Sequence, residues 1–211
     1  MELKGKKVVF LGDSITEGWG ASSPDKAYPH LLQKKHQLKE AGNLGIGGSR
    51  IAIQKNPSYG CLRHDIYFGL RAHIIPKDAD IIIVFGGTND FGHGDAEFGT
   101  EDSTDDYTFI GALNNLMTLL KKNHPNAEII FFTPLHRIYE NISLNNSGKL
   151  LVDYVNAIID AAKRHNIKLI DLFNEFELDP TDTSIVPDGL HPNDKGHEIM
   201  TEFLSKKLLE L

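Results

Sequence analysis

Cysteine is nearly absent from this sequence: Cys61 stands alone among 211 residues. A single cysteine forms no internal disulfide and has no cysteine neighbours to share a zinc site, so it reads as a small buried apolar residue. Basic charge is also short. The 22 Lys and Arg are outnumbered by 29 Asp and Glu, which leaves a formal net charge of -7. That balance argues against nucleic acid, whose phosphates need a basic surface, and gives no electrostatic reason to sit on an anionic membrane. No run approaches the about 18 apolar residues of a membrane span. No long apolar stretch stands before Val8 either, so the expectation is a cytoplasmic protein without a secretory leader. Internal repeats and low-complexity linkers are missing too. The length suits one domain over residues 1–211.

What is present is an alternation of short apolar runs and helical patterns. Val8 to Leu11, Asn43 to Ile46, Asp80 to Phe85, Glu128 to Phe132 and Lys168 to Leu172 read as strands. The third is a continuous β-branched run, as expected for a parallel strand covered on both faces. Ala27 to Leu38, Tyr107 to Asn123, Lys149 to His165 and Asp194 to Leu209 read as helices. The last of these is expected to bury Ile199, Met200, Phe203, Leu204 and Leu208. Strands separated by helices imply parallel pairing. The fold class is therefore α/β, a three-layer α/β/α sandwich with a central parallel sheet of about five strands. Two loops stand out. Residues 91–106 are acidic, and 134–147 are polar, with an Asn145-Asn146 pair suited to a turn. Both follow strands, which places them on the ligand side of the sheet.

Four segments carry chemistry-bearing residues, each in a loop after a strand. Gly12-Asp13-Ser14-Ile15 ends the first strand with a hydroxyl, which needs a base to act as a nucleophile. Alone, Ser14 reads equally well as a turn residue capping a helix. Asn43 to Ser49 closes the second strand on three glycines; this is a bare tight turn or a place where backbone N–H groups meet an oxyanion. A phosphate loop fits poorly, because no Lys-Ser/Thr follows. Gly86-Gly87-Thr88-Asn89-Asp90 offers a neutral amide that can face negative charge, or an Asn favoured in a turn. Asp90 reads as a turn brace or helix cap. Asp188 and His191, three apart, fall on one side of a tight loop, where the carboxylate can hold one ring nitrogen and leave the other for a serine. His191 and His197 are six apart, which is poor metal-ligand spacing, and nothing calls for a metal or an organic cofactor.

These blocks, in this order across nearly the whole chain, resemble the SGNH hydrolases, also called GDSL-type esterases and lipases. Gly12-Asp13-Ser14-Ile15 resembles the nucleophile block, with isoleucine in place of leucine. Gly48 falls at the oxyanion glycine, Asn89 at the oxyanion asparagine, and Asp188-Gly189-Leu190-His191 matches the terminal acid and histidine block. The resemblance implies a flavodoxin-like sandwich and a two-step acyl transfer. In it, Ser14, Asp188 and His191 are catalytic, and Ser14, Gly48 and Asn89 form the oxyanion hole.

The expected function is hydrolysis of small carboxylic esters, short-chain acyl or O-acetyl, with acetylated carbohydrates among the candidate substrates. Lysophospholipase, thioesterase and acyltransferase activities use the same residues, and a ligand-binding protein on this fold is the reading from another class. The acidic loop carrying Asp95, Glu97, Glu101, Asp102, Asp105 and Asp106 would repel anionic substrates if it borders the site. Phe91, Leu135 and His136 follow strands and are the expected walls of the substrate pocket. No partner other than a small-molecule ester is called for, and oligomeric state has no signal in the sequence.

Overall fold

The computed structural model describes residues 1–58 and 60–211. Five strands, β1 (Lys7–Gly12), β2 (Glu40–Gly45), β3 (Ile81–Phe85), β4 (Glu128–Phe132) and β5 (Lys168–Ile170), form one sheet in the order β2-β1-β3-β4-β5. Every pairing is parallel. Among the described residues eight α-helices lie between and after the strands: α1 (Ser14–Glu17), α2 (Tyr28–His36), α3 (Phe68–Ala72), α4 (Thr88–His93), α5 (Phe109–Asn123), α6 (Leu151–Arg164), α7 (Leu172–Glu175) and α8 (Asp194–Glu210). This is the expected α/β/α sandwich.

The two-residue period of the strands builds a core on each side of the sheet. Val9, Leu11, Ile82, Val84 and Phe131 face α3, α5 and α6. Val8, Phe10, Ile81, Ile83, Ile130 and Phe132 face α2 and α8. Every residue of β3 is buried, as its unbroken apolar run requires. The amphipathic helices dock through their apolar stripes. In α5 these are Phe109, Leu113, Leu116 and Leu120; in α6 they are Leu151, Tyr154, Val155 and Ile158. Burying such side chains contributes about 1.5–3 kcal/mol each.

Several expectations are corrected at element ends. β2 begins at Glu40, because an edge strand with no fully buried residue carries no apolar signature there. β5 stops at Ile170: the Asp171 carboxylate accepts the backbone N–H of Asn174 and starts α7, which takes Leu172 into a helix. Ile199 lies on the outer side of α8 and is exposed, and Phe203 is only partly buried. Cys61 is partly exposed rather than buried, since it precedes a surface turn of 3-10 helix at Leu62–Asp65. No helix among the described residues is long and apolar enough to cross a membrane.

The chain reverses its direction of sheet growth between β1 and β3, and ligands of such sheets bind outside the carboxyl ends of the strands at that point. Gly12 at the end of β1 pairs in register with Gly45 of β2 and Phe85 of β3. The loops that follow these three residues meet there.

Candidate active site

At the end of β1 the chain turns sharply into α1. A Cβ on Gly12 would lie 2.0 Å from Thr16 Oγ1 and 2.9 Å from the Phe85 carbonyl, so only glycine allows the turn. Asp13 caps the helix, its carboxylate accepting the N–H of Ile15 at 3.1 Å. Asp13 is fully enclosed. Burial pushes its carboxyl up to about 7, against the opposing pull of the Ile15 N–H and the Arg71 charge. Ser14 stands at the first position of α1 and is 3% exposed.

The distant segment 186–193 brings a base to this serine. His191 Nε2 lies 2.9 Å from Ser14 Oγ, and His191 Nδ1 lies 2.6 Å from Asp188 Oδ2. The other oxygen of Asp188 accepts the backbone N–H groups of Leu190, at 3.0 Å, and His191, at 2.7 Å. Partial burial works against the Asp188 charge, but the bonds from the His191 ring and the two amides outweigh it and hold the carboxyl below its usual range. Because a carboxylate only accepts, Nδ1 carries the ring proton and Nε2 presents its lone pair to the serine hydroxyl.

That loop is clamped from outside. Gly189 has φ +77, and Ile138 atoms occupy the space 2.6–2.7 Å from where its Cβ would be. The N–H of Ile138 donates to the Gly189 carbonyl at 2.9 Å. On the other side, a Cβ on Gly20 would meet the Pro192 carbonyl at 2.2 Å. Asp194 accepts the N–H and hydroxyl of Ser22, each at 2.7 Å.

The two remaining loops converge through charges that no motif reveals. Buried Arg71, on α3, donates to the carbonyl of Gly12 at 2.7 Å, to the Leu44 carbonyl and to Ser49 Oγ at 2.7 Å. It ties the ends of β1 and β2 to the glycine turn. Burial lowers Arg71 to about 10, which leaves it charged at neutral pH. Asp90, the expected brace, accepts the N–H groups of Ile51 and Ala52, each at 3.0 Å. It joins α4 to the loop after β2, and burial raises its carboxyl to about 6.

Asn89 is oriented from two sides. Its amide nitrogen donates to the Ser49 carbonyl at 3.0 Å, and its oxygen meets His93 Nε2 at 3.2 Å. His93 Nδ1 in turn meets Arg50 Nη1 at 2.9 Å. A guanidinium can only donate, so Nδ1 accepts and Nε2 carries the proton toward the Asn89 oxygen. Burial, helped by the Arg50 charge, lowers His93 to about 4, so the ring is neutral at pH 7. The amide keeps a second N–H. Gly48, with φ +71, sits in the neighbouring turn with the His64 ring packed 2.7 Å from where its Cβ would be. Among the described residues, the backbone N–H groups of Ser14 and Gly48 have no protein acceptor.

Ser14, Asp188 and His191 are thus in direct contact, and Gly48 and Asn89 are held in loops braced on the same strand ends. Two of the three expected pocket walls are corrected. Phe91 and Leu135 are 0% and 2% exposed and pack into the two cores, where the sheet and helices claim their apolar surface. His136 bonds to Glu140 at 2.9 Å and its ring lies 4.0 Å from that of Phe173. The acidic loop is engaged structurally: Asp95 accepts from the 55–56 backbone, Glu97 pairs with Lys55 and Glu101 with Arg164. Trp19, which belongs to none of the four sequence blocks, lies beside the His191 ring at 5.6 Å between centroids. Among the described residues there is no group of three or more His, Cys, Asp or Glu arranged to hold a metal ion.

Comparison with known proteins adds four findings. The model of the GDSL-like lipase/acylhydrolase family matches residues 10–199. An acetylxylan esterase of Xylanibacter ruminicola is 27% identical over 220 residues, and the match covers 94% of this chain but only 42% of that protein. The chain therefore spans less than half the length of that relative. A GDSL esterase/lipase of Arabidopsis thaliana is 25% identical, with 97% of this chain and 86% of that one covered. In three dimensions, a protein from Lactobacillus plantarum superposes with a TM-score of 0.84 at 29% identity, over 99% of this chain and 98% of that one.

Proposed function

The chain belongs to the GDSL-like lipase/acylhydrolase family, and from that premise we propose that it is a carboxylic-ester hydrolase acting through an acyl-serine intermediate. The observation that carries the reading is the unbroken contact from Asp188 through His191 to Ser14, at 2.6 and 2.9 Å. His191 Nε2 takes the Ser14 proton as Oγ attacks the ester carbonyl. Asp188 keeps the ring in the required tautomer and offsets the charge it gains. The tetrahedral oxyanion is met by the N–H groups of Ser14 and Gly48 and by the second amide N–H of Asn89. His191 then returns the proton to the leaving alkoxide. Water, deprotonated by the same nitrogen, clears the acyl group and restores the serine.

The substrate is an ester of a short acyl group, O-acetyl groups on carbohydrate included. The similarity to an acetylxylan esterase supports this. So does a cavity of about 420 Å³ lined by polar side chains that include Arg50, Gln54, Asn56 and Asp95 together with Pro57; its His64 packs against Gly48 and its His93 bonds Asn89. The test is hydrolysis of p-nitrophenyl esters from acetate to palmitate by wild type and Ser14→Ala. Turnover confined to short chains and lost in the variant is expected. A maximum at palmitate would overturn the short-acyl assignment, and undiminished turnover by Ser14→Ala would overturn the nucleophile.

A further inference from the structure

Trp19 is the chain's one tryptophan, and it is 52% exposed. Single exposed apolar residues are ordinary on protein surfaces, so exposure alone means little. This indole, however, is fixed at every polar point. Its Nε1–H donates to Glu17 Oε2 at 3.2 Å, and the same oxygen accepts the Gly47 N–H at 2.5 Å. Glu17 Oε1 pairs with Arg63 at 2.7 Å. The Trp19 N–H donates to the Ser14 carbonyl at 2.9 Å, and its own carbonyl accepts from His197 at 3.4 Å. Gly47 leaves room for the ring edge, since a Cβ there would lie 3.0 Å from Cε2 and Nε1. A large aromatic side chain is thus ordered while half its surface stays in water.

Its position gives that ordering a use. In the esterase reading, on which this inference rests, His191 protonates the leaving oxygen, so the alcohol portion of the ester departs along the His191 side of the site. Trp19 lies on that side, its ring 5.6 Å from the imidazole and tilted by 40°. We infer that Trp19 is the floor of the leaving-alcohol subsite and that the alcohol it receives is a sugar ring. The indole face offers apolar contact to the C–H face of a pyranose. The rim beside it carries the Glu17 carboxylate and the half-exposed Arg63 guanidinium, an acceptor and a donor set for ring hydroxyls. A plain aryl or alkyl alcohol has no further hydroxyls to meet them.

The experiment compares two acetates that share an acyl group, ethyl acetate and O-acetylated methyl β-xylopyranoside, in wild type, Trp19→Ala and Trp19→Phe. The expected result for Trp19→Ala is a loss in kcat/KM on the xyloside that exceeds the loss on ethyl acetate by about tenfold or more. Trp19→Phe, which keeps a ring, retains most of the activity. Because the chain has one tryptophan, its emission reports on this position directly: methyl β-xyloside should shift it saturably in wild type and in Ser14→Ala. Equal losses on both acetates would make Trp19 a packing support for His191 and overturn the inference. A larger loss on ethyl acetate than on the xyloside would overturn the sugar assignment. Absence of hydrolysis of either acetate by wild type would instead sink the esterase reading, and the leaving-alcohol subsite with it.

Discussion

Replacing His93 by leucine tests how the Asn89 amide is aimed. In the native site the His93 ring N–H holds the Asn89 oxygen at 3.2 Å, while Ser49 holds the nitrogen at 3.0 Å. Leucine removes the first anchor and leaves the second. If Asn89 is an oxyanion donor, its outright removal costs on the order of 10²–10³ in turnover. Loss of one orienting hydrogen bond, about 0.5–1.5 kcal/mol, corresponds to a fall of roughly 2–10-fold in kcat with KM unchanged. The substitution also strands the Asn89 oxygen and an Arg50 N–H in a buried setting, at about 1–3 kcal/mol each in folding stability. Steady-state kinetics on a short acetate ester, paired with urea denaturation, separates the two effects. The decisive arm is the double variant. His93→Leu should have no further effect on kcat once Asn89 is alanine, because it acts only through that amide. Effects that multiply in the double variant, or a raised KM with kcat intact, would refute the reasoning. His93→Gln, which keeps an N–H within reach, should recover most of the lost kcat.

Three further outcomes follow from the same geometry. Gly189→Ala places a Cβ at φ +77 against Ile138, so it should displace the Asp188–His191 turn, cut kcat more than about tenfold and lower the melting temperature; unchanged kinetics would show the turn tolerates it. Asp188→Asn should lower kcat by on the order of 10⁴, since an amide in that place no longer dictates the ring tautomer, and a loss under about tenfold would contradict the assigned role. The Asp13 carboxyl is raised by burial to about 7, so the folded state holds a proton that the unfolded state releases near pH 4. Stability from this group is therefore present below about pH 4 and lost as pH rises to about 7, by on the order of 4 kcal/mol. Asp13→Asn keeps the helix-capping oxygen and should flatten that decline in urea titrations between pH 4.5 and 7.5; an unaltered slope would rule it out.

The layered architecture was legible because β3 and the helices α5 and α6 carry long, strongly patterned apolar stretches, whose burial leaves one arrangement open. Short elements were not. α1, α3, α4 and α7 span four to six residues, too few for a helical period to register. At the site, Ser14 and Asn89 stood out as chemically capable groups just past strand ends, and Asp188 and His191 as an acid and a base three residues apart. The residues that aim them did not. Arg71 and Arg50 look like surface charges in sequence, and only the fold buries them; His93 stays at the surface, and only the fold brings its ring edge against Asn89 and Arg50. Phe91 and Leu135 misled for the complementary reason. Their place after strands pointed to a pocket, but their apolar surface is worth more in the core. Trp19 carried one available signal, a lone tryptophan five residues past Ser14 in a glycine-rich turn.

The central claim is that Ser14 is the atom acylated by substrate. Incubation with a fluorophosphonate, followed by intact-mass measurement and peptide mapping, tests it most directly. The account predicts a single adduct, on the peptide containing Ser14, formed in step with loss of esterase activity and absent from Ser14→Ala. An adduct on another residue, or full esterase activity in protein whose Ser14 is blocked, would contradict it.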